Sequence, residues 1–527
     1  MRKLRLSAGY LIIACIITCL LGLYRIHTPS DEVSLFITNI SYGYQGRSIF
    51  SALIMCLLGF ISVFLMQKEW KANRMLIYAF PVGVFSWICF SVLIICVGLP
   101  YKIITMIFIY IIFWLILTQF NQFDIRKIIN IEFLSYVCFM IGTIIILSSC
   151  ILPIFQSYDS YYFIDFFGQS IARNAGLYEG SASMAMHTAL GMATLSAYNA
   201  FWKLDNTYLI QYCVMISFLL MYAVSLYEYK VSFKNCKFAT AVIVILVFAE
   251  PCVLQLMCWN ISNAYYMVLL FMIYLELSSV INSNVWTIGN RIFVPVLICA
   301  ASYLRAEAPL FICCIIIAML ATKLKRKDIF MELILPAMAS SLLLYFRLYI
   351  LSGTALNGSF LSVSTVLLML GLYCLVAIIA ALSGIIVFSK VFAARLYLLL
   401  FAVVVIVGIV LFVIDKGVFG GSLKVYLHNM SNVDDFWGVS AGVVLFLFFI
   451  QYFIGNEKNN FGNILCILLF FAILYLGPAR AIIDEPPRKG YGDSFNRNFV
   501  SLLPLVWHVV VSGIIGFFSK GNQQYNR

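Results

Sequence analysis

Apolar runs of roughly 20 residues recur along the whole chain and decide what it can fold into. A bilayer core of about 30 Å needs about 20 apolar residues per crossing helix, with roughly 17–25 tolerated. Backbone groups in lipid must be satisfied within the segment, so runs of this length read as helices and not as strands. Candidate spans fall at 6–24, 48–66, 75–97, 103–120, 133–152, 207–227, 238–257 and 264–281. Further along come 331–351, 362–388, 396–414, 438–454, 462–478 and 501–518. Two shorter runs, 292–304 and 308–322, flank Arg305 and Glu307 and read as a tight hairpin. The expected fold is all-α: one polytopic transmembrane bundle over 1–527, with about 13–16 spans and juxtamembrane helices on the outer face.

Composition closes the alternatives. Sixty-three per cent of the 527 residues are hydrophobic and only 11% are charged, where a soluble domain carries about 25%. That excludes a soluble enzyme, a disordered scaffold and a disulfide-stapled secreted domain. The 16 cysteines sit mostly inside apolar runs, as Cys15, Cys56, Cys138 and Cys466 do, and no C-x-x-C pair occurs. They read as small buried hydrophobes. The four histidines, His27, His187, His428 and His508, are too scattered for a zinc site. Met1–Arg5 precedes an apolar run longer than a signal-peptide core, with no small-x-small cleavage site, so 6–24 reads as a retained first span.

Charge placement gives an orientation. With the N-terminus inside and strict alternation, inner segments collect 21 of the 34 Lys and Arg residues, as the positive-inside rule favours. Both termini are then cytoplasmic, and the formal charge of +12 reflects membrane orientation and not a nucleic-acid footprint. Thirteen of the 22 acidic residues fall outside, together with the long segments 25–47, 153–206, 415–437 and 479–500. Function carried by loops is therefore expected on the outer face.

Three constellations there carry chemistry. In the first outer loop, 25–47, Pro29 and Ser30 start a helix whose first turn holds Asp31 and Glu32. Val33, Phe36, Ile37 and Ile40 recur at helical spacing, which lays that helix along the membrane surface; an ordinary acidic first turn is the plain alternative. In the second, Arg305 and Glu307 interrupt an apolar stretch, and charges at membrane depth are costly enough to imply a role. A structural ion pair holding the hairpin is the plain alternative. The third runs from Pro486 to Pro504, where Arg488, Lys489 and Arg497 offer phosphate-pairing cations beside Tyr491, Asp493 and Asn496. A solvated outer loop is its plain alternative. Glu250-Pro251 reads as a kink with a buried carboxyl, and the aromatic-rich segment 153–206 as an interfacial anchor or a roof over a site.

Order and spacing of these motifs resemble the GT-C superfamily of integral-membrane glycosyltransferases. The likeness is closest to family 39-like members, the protein O-mannosyltransferases and the aminoarabinose transferases of lipid A. Asp31-Glu32 is similar to that family's acidic pair after the first span. Leu304-Arg305-Ala306-Glu307 resembles the L-R-x-E-G stretch of bacterial relatives, with Ala308 in place of the glycine. Asp493-Ser494-Phe495-Asn496-Arg497, running into Leu502-Leu503-Pro504, resembles a D-S-x-N-R…P ending. The resemblance implies a polyprenyl-phosphate sugar donor and a glycan, lipid or protein acceptor modified on the extracytoplasmic face of a bacterial inner membrane. It implies Asp31 as general base or metal ligand, with Glu32 assisting. Arg305, Arg488 and Arg497 would hold the donor phosphate, with Arg47 a further candidate, and Glu307, Lys489, Tyr491, Asp493 and Asn496 would complete the binding site. A divalent metal is compatible with the acidic pair but not required by it. A surface-polysaccharide polymerase or ligase would share the arginines without needing Asp31-Glu32. A lipid-linked-sugar flippase or other transporter would instead need charges along a midplane path, for which Glu250, Glu276 and Arg347 are the candidates.

Overall fold

The computed structural model describes residues 42–67, 70–120, 131–150, 164–177, 190–204, 208–228, 243–245, 247–248, 250–258 and 260–305. It further describes 307–352, 363–383, 402–431, 438–454, 461–483 and 492–525. Among the described residues every regular element is helical. In chain order these are α1 (Tyr42–Met66), α2 (Ala72–Val97), α3 (Ile103–Phe120), α4 (Ile131–Cys150), α5 (Phe167–Asn174) and α6 (Leu190–Phe201). Then come α7 (Tyr208–Glu228), α8 (Pro251–Cys258), α9 (Ser262–Ser283), α10 (Ile288–Leu304) and α11 (Ala308–Leu320). A short turn, Arg326–Ile329, and a π-helical turn, Phe330–Ile334, lead into α12 (Leu335–Ser352) and α13 (Val363–Ser383). The chain continues through α14 (Ala402–Ile414) and α15 (Lys416–Ser431). It ends with α16 (Gly438–Ile454), α17 (Phe461–Ile483) and α18 (Gly492–Tyr525).

Among the described residues six helical stretches are long and apolar enough to cross a membrane: 46–66, 74–97, 208–226, 262–283, 326–348 and 461–479. Shorter apolar helices accompany them, so the molecule is a helical membrane bundle in which several runs fall short of a full crossing. The expected first span, 6–24, lies outside the described residues.

Helices in lipid gain little from the hydrophobic effect against each other and associate by close packing, often at small residues. The α1–α2 pair shows this. A Cβ added at Gly59 would lie 1.8 Å from the Ala79 carbonyl oxygen, and one at Gly83 would lie 2.2 Å from that of Met55. The two backbones touch, and no side chain fits between them. Gly59→Val is therefore expected to abolish recovery of folded protein. Gly46→Ala on the same helix, with open space around the position, should leave recovery unchanged. The monodisperse fraction on size exclusion in mild detergent checks both, and normal recovery of Gly59→Val would contradict the packing.

The bundle has two polar ends. At one, Arg74 sits 4.1 Å over the Trp70 ring and 3.4 Å from the Glu276 carboxylate. Asn290 donates to the same carboxylate at 3.2 Å. Arg291 bridges Asp328 (3.0 Å) and Glu332 (2.7 Å), tying α10 to the turns that precede α12. At the other end lie Ser51, Tyr101, Ser262, Arg305 and the start of α18. Trp87 donates to Tyr101 Oη at 3.0 Å, and Tyr101 donates onward to the Thr194 carbonyl at 2.9 Å. Tyr198 donates to the Ser51 carbonyl at 2.6 Å. These bonds satisfy buried hydroxyl and indole groups that would otherwise be costly in lipid.

Segment 153–206 is not only a surface loop. Within it α6 is buried from Leu190 to Asn199 and packs on α5, α2 and α10. Its small and polar residues let it approach closely: a Cβ on Gly191 would sit 2.8 Å from the Tyr303 carbonyl oxygen. Segment 479–500 also differs from an outer loop, because α17 runs on to Ile483 and α18 begins at Gly492. The run 238–257 is not one helix. Pro251 opens the separate helix α8, and Glu250 before it is non-helical, as the residue preceding a proline tends to be.

Candidate functional site

The hairpin of α10 and α11 forms as its interrupted hydropathy suggested, and the interruption is its tip. Arg305 closes α10 in extended backbone (φ −149°, ψ 145°), and Glu307 is the N-cap residue of α11, with Pro309 in its first turn. Each charge thus occupies the helix end that favours it: a cation at the C-terminus of α10 and an anion at the N-terminus of α11. The side chains close a two-toothed ion pair, Arg305 Nε to Glu307 Oε2 at 3.1 Å and Arg305 Nη2 to Oε1 at 3.2 Å. Both are largely buried, at 10% and 7% side-chain exposure. Arg305 Nη1 reaches a third acceptor, Ser262 Oγ at 3.4 Å, on the first turn of α9. One residue on, Asn263 Nδ2 donates to Asn498 Oδ1 at 2.8 Å. Asn498 follows Arg497, itself half-buried on α18. Two sequence motifs about 190 residues apart are thereby joined through consecutive residues of α9.

The 13 residues of α11 rise about 20 Å, short of a bilayer core of about 30 Å. One end leads into the basic stretch Lys323–Lys327, and the Arg305–Glu307 tip lies at the other. Helix α6 meets it there, at the Gly191–Tyr303 contact. Around the tip stand two tyrosines that hydropathy could not single out. Tyr266 on α9 is 2% exposed and lies within electrostatic reach of both Arg305 and Glu307. Its hydroxyl has no hydrogen-bond partner among the described residues. Tyr345 on α12 also lies within electrostatic reach of Glu307.

The other expected site residues fall as follows. Asp31, Glu32, Arg488, Lys489 and Tyr491 lie outside the described residues. Asp493 and Asn496 are on the opening turns of α18, not in a loop. Arg47 is exposed on α1, one turn before Ser51. Of the midplane candidates, Glu276 is paired with Arg74 at the far end of the bundle, and Arg347 lies five residues before the end of α12. Glu250 is buried beside Cys252, whose Sγ approaches its Oε1 at 3.6 Å. Among the described residues no three His, Cys, Asp or Glu side chains converge as metal ligands. No family model matches the chain, and neither a curated protein nor a solved structure is significantly similar to it.

Proposed function

We propose that the protein transfers a sugar from a polyprenyl-phosphate donor to an acceptor hydroxyl at the bundle end that carries Arg305, Ser262 and Asn498. The reading is carried by one observation, the link from Arg305 through Ser262 and Asn263 to Asn498, which unites the middle and C-terminal motifs. In this reading the acceptor oxygen attacks the anomeric carbon and its proton passes to Asp31, with Glu32 beside it. The bond from that carbon to the phosphate oxygen breaks, and polyprenyl phosphate leaves with the electron pair on the face opposite the attack. Developing charge on the phosphate is the natural target of preorganised cations. In this reading Arg497 and Arg488 take the phosphate, and the Arg305–Glu307 pair fixes the floor beneath it. Tyr266 supplies a buried hydroxyl next to that floor for a polar atom of the sugar.

Transport is the second reading, favoured by the break at Glu250-Pro251, because interrupted helices mark many transport sites. It is weakened by Glu276, which pairs with Arg74, and by Arg347, which lies near the end of α12. Mass spectrometry of polyprenyl-linked sugars and surface glycans, with and without the gene, separates the readings. Transfer predicts that a polyprenyl monophosphate sugar accumulates in the deletion and that one sugar is lost from a surface glycan. Accumulation of diphosphate-linked oligosaccharide would instead indicate a polymerase or ligase. An unchanged glycan profile would sink the proposal.

A further inference from the structure

Arg347 is a cation near the end of α12 that no carboxylate among the described residues neutralises. It lies on α12, five residues before that helix ends at Ser352. Its Nε is buried and makes no hydrogen bond, and no carboxylate among the described residues pairs with it. The guanidinium rests against the end of α2, where Gly98 adopts the left-handed conformation (φ 84°) that closes the helix. A Cβ at Gly98 would lie 3.7 Å from an Arg347 terminal nitrogen, so that nitrogen faces backbone. The N–H groups of Gly98 and Leu99 turn back onto the Ile94 and Ile95 carbonyls, and the last carbonyls of α2 remain as the negative end of its dipole. That end carries only about half a charge, which orients the guanidinium without balancing it.

The surface around it is apolar and open. Val97 is 59% exposed, Leu99 48% and Phe346 65%. In a bilayer such side chains are covered by acyl chains, and an arginine near the end of a span extends to headgroup depth. Lys102, exposed where the same short connection enters α3, adds a second cation.

We propose that Arg347 and the closing turn of α2 form a binding site for the phosphodiester headgroup of a glycerophospholipid. Two phosphate oxygens would engage the guanidinium fork, and the acyl chains would lie over Val97, Leu99 and Phe346. This site does not depend on the sugar-transfer reading, because it uses none of that reading's residues.

The test uses the full chain in a neutral detergent, as wild type, Arg347→Gln and Arg347→Lys, with native mass spectrometry as readout. Phosphatidylglycerol, a diacylglycerol with the same acyl chains and a polyprenyl monophosphate are titrated separately. Wild type is expected to retain one phosphatidylglycerol. Arg347→Gln should bind it at least tenfold more weakly, with Arg347→Lys in between, and the diacylglycerol should show no such difference. Equal phosphatidylglycerol binding by wild type and Arg347→Gln would overturn the site. So would wild-type retention of the diacylglycerol to the same degree, an outcome readable even if Arg347→Gln does not fold. Polyprenyl phosphate binding ten times tighter than phosphatidylglycerol would overturn the assignment to bulk lipid and give the site to a carrier lipid.

Discussion

Glu307→Ala is expected to destabilise the protein by about 3–5 kcal/mol, the range for breaking a buried ion pair by removing one partner. The reason is local. Arg305 is 10% exposed and gives two of its hydrogen bonds to that carboxylate. Without it the guanidinium keeps only Ser262 Oγ, at 3.4 Å, and the dipole of α10. Glu307 also loses its place at the N-terminus of α11, a smaller effect of about 0.3–1 kcal/mol. The paired replacement Arg305→Met with Glu307→Leu should restore most of the stability, because a buried pair and a well-packed apolar pair of similar volume are often nearly equivalent. Thermal unfolding midpoints in detergent check both statements. A Glu307→Ala protein as stable as wild type would show that the pair does not hold the tip. Activity adds a second axis. If the pair only fixes the floor of the site, the double variant keeps sugar transfer; if either residue touches substrate, the double variant is stable and inactive.

Where helices begin and end was largely legible in the sequence because lipid imposes one rule on every span. The expected runs 103–120 and 438–454 are helices with those bounds, and the hairpin was visible because Arg305 and Glu307 interrupt apolar sequence. What escaped was structure built by small residues. The segment Leu190-Gly-Met-Ala-Thr-Leu-Ser-Ala-Tyr-Asn199 lacks the hydropathy of a span and reads as loop, yet it is buried because Gly191 and its neighbours permit contact with backbone. The break at Glu250-Pro251 was written in the proline, but the surrounding apolar run outweighed it. At the candidate site, Ser262, Asn263 and Asn498 carry no pattern of their own, since short polar side chains gain meaning only from what they face across the bundle. Arg305 was legible as a costly charge, and the ion pair with Glu307 that the sequence offered as its plain alternative is present in the structure. Under the proposed transfer, Arg305 supports the site through Glu307 and does not itself hold the phosphate.

Asp31→Asn is expected to lower sugar transfer by about 10²–10⁴-fold, the usual contribution of a positioned general base, while abundance and membrane insertion stay at wild-type levels. The substitution keeps the size of the side chain and removes only the ability to take a proton at neutral pH. Asp31 and Glu32 are adjacent, so Glu32→Gln is the matched comparison. If Asp31 is the base, Glu32→Gln should weaken transfer far less; a reversed order of effects would move the role to Glu32. The assignment also requires the acidic pair to share a membrane face with the Arg305 tip. A topology reporter fused at residue 30 should therefore agree in side with one placed at residue 206, in the segment that joins α6 to α7 at the same bundle end. Opposite signals would separate the base from the phosphate-binding cations by the thickness of the membrane, and no single-step displacement could then use both. Full transfer by Asp31→Asn at normal abundance would have a different consequence. It would remove base catalysis from the first loop while leaving the joined motifs of α9, α10 and α18 in place, which is the combination that a lipid-diphosphate polymerase requires.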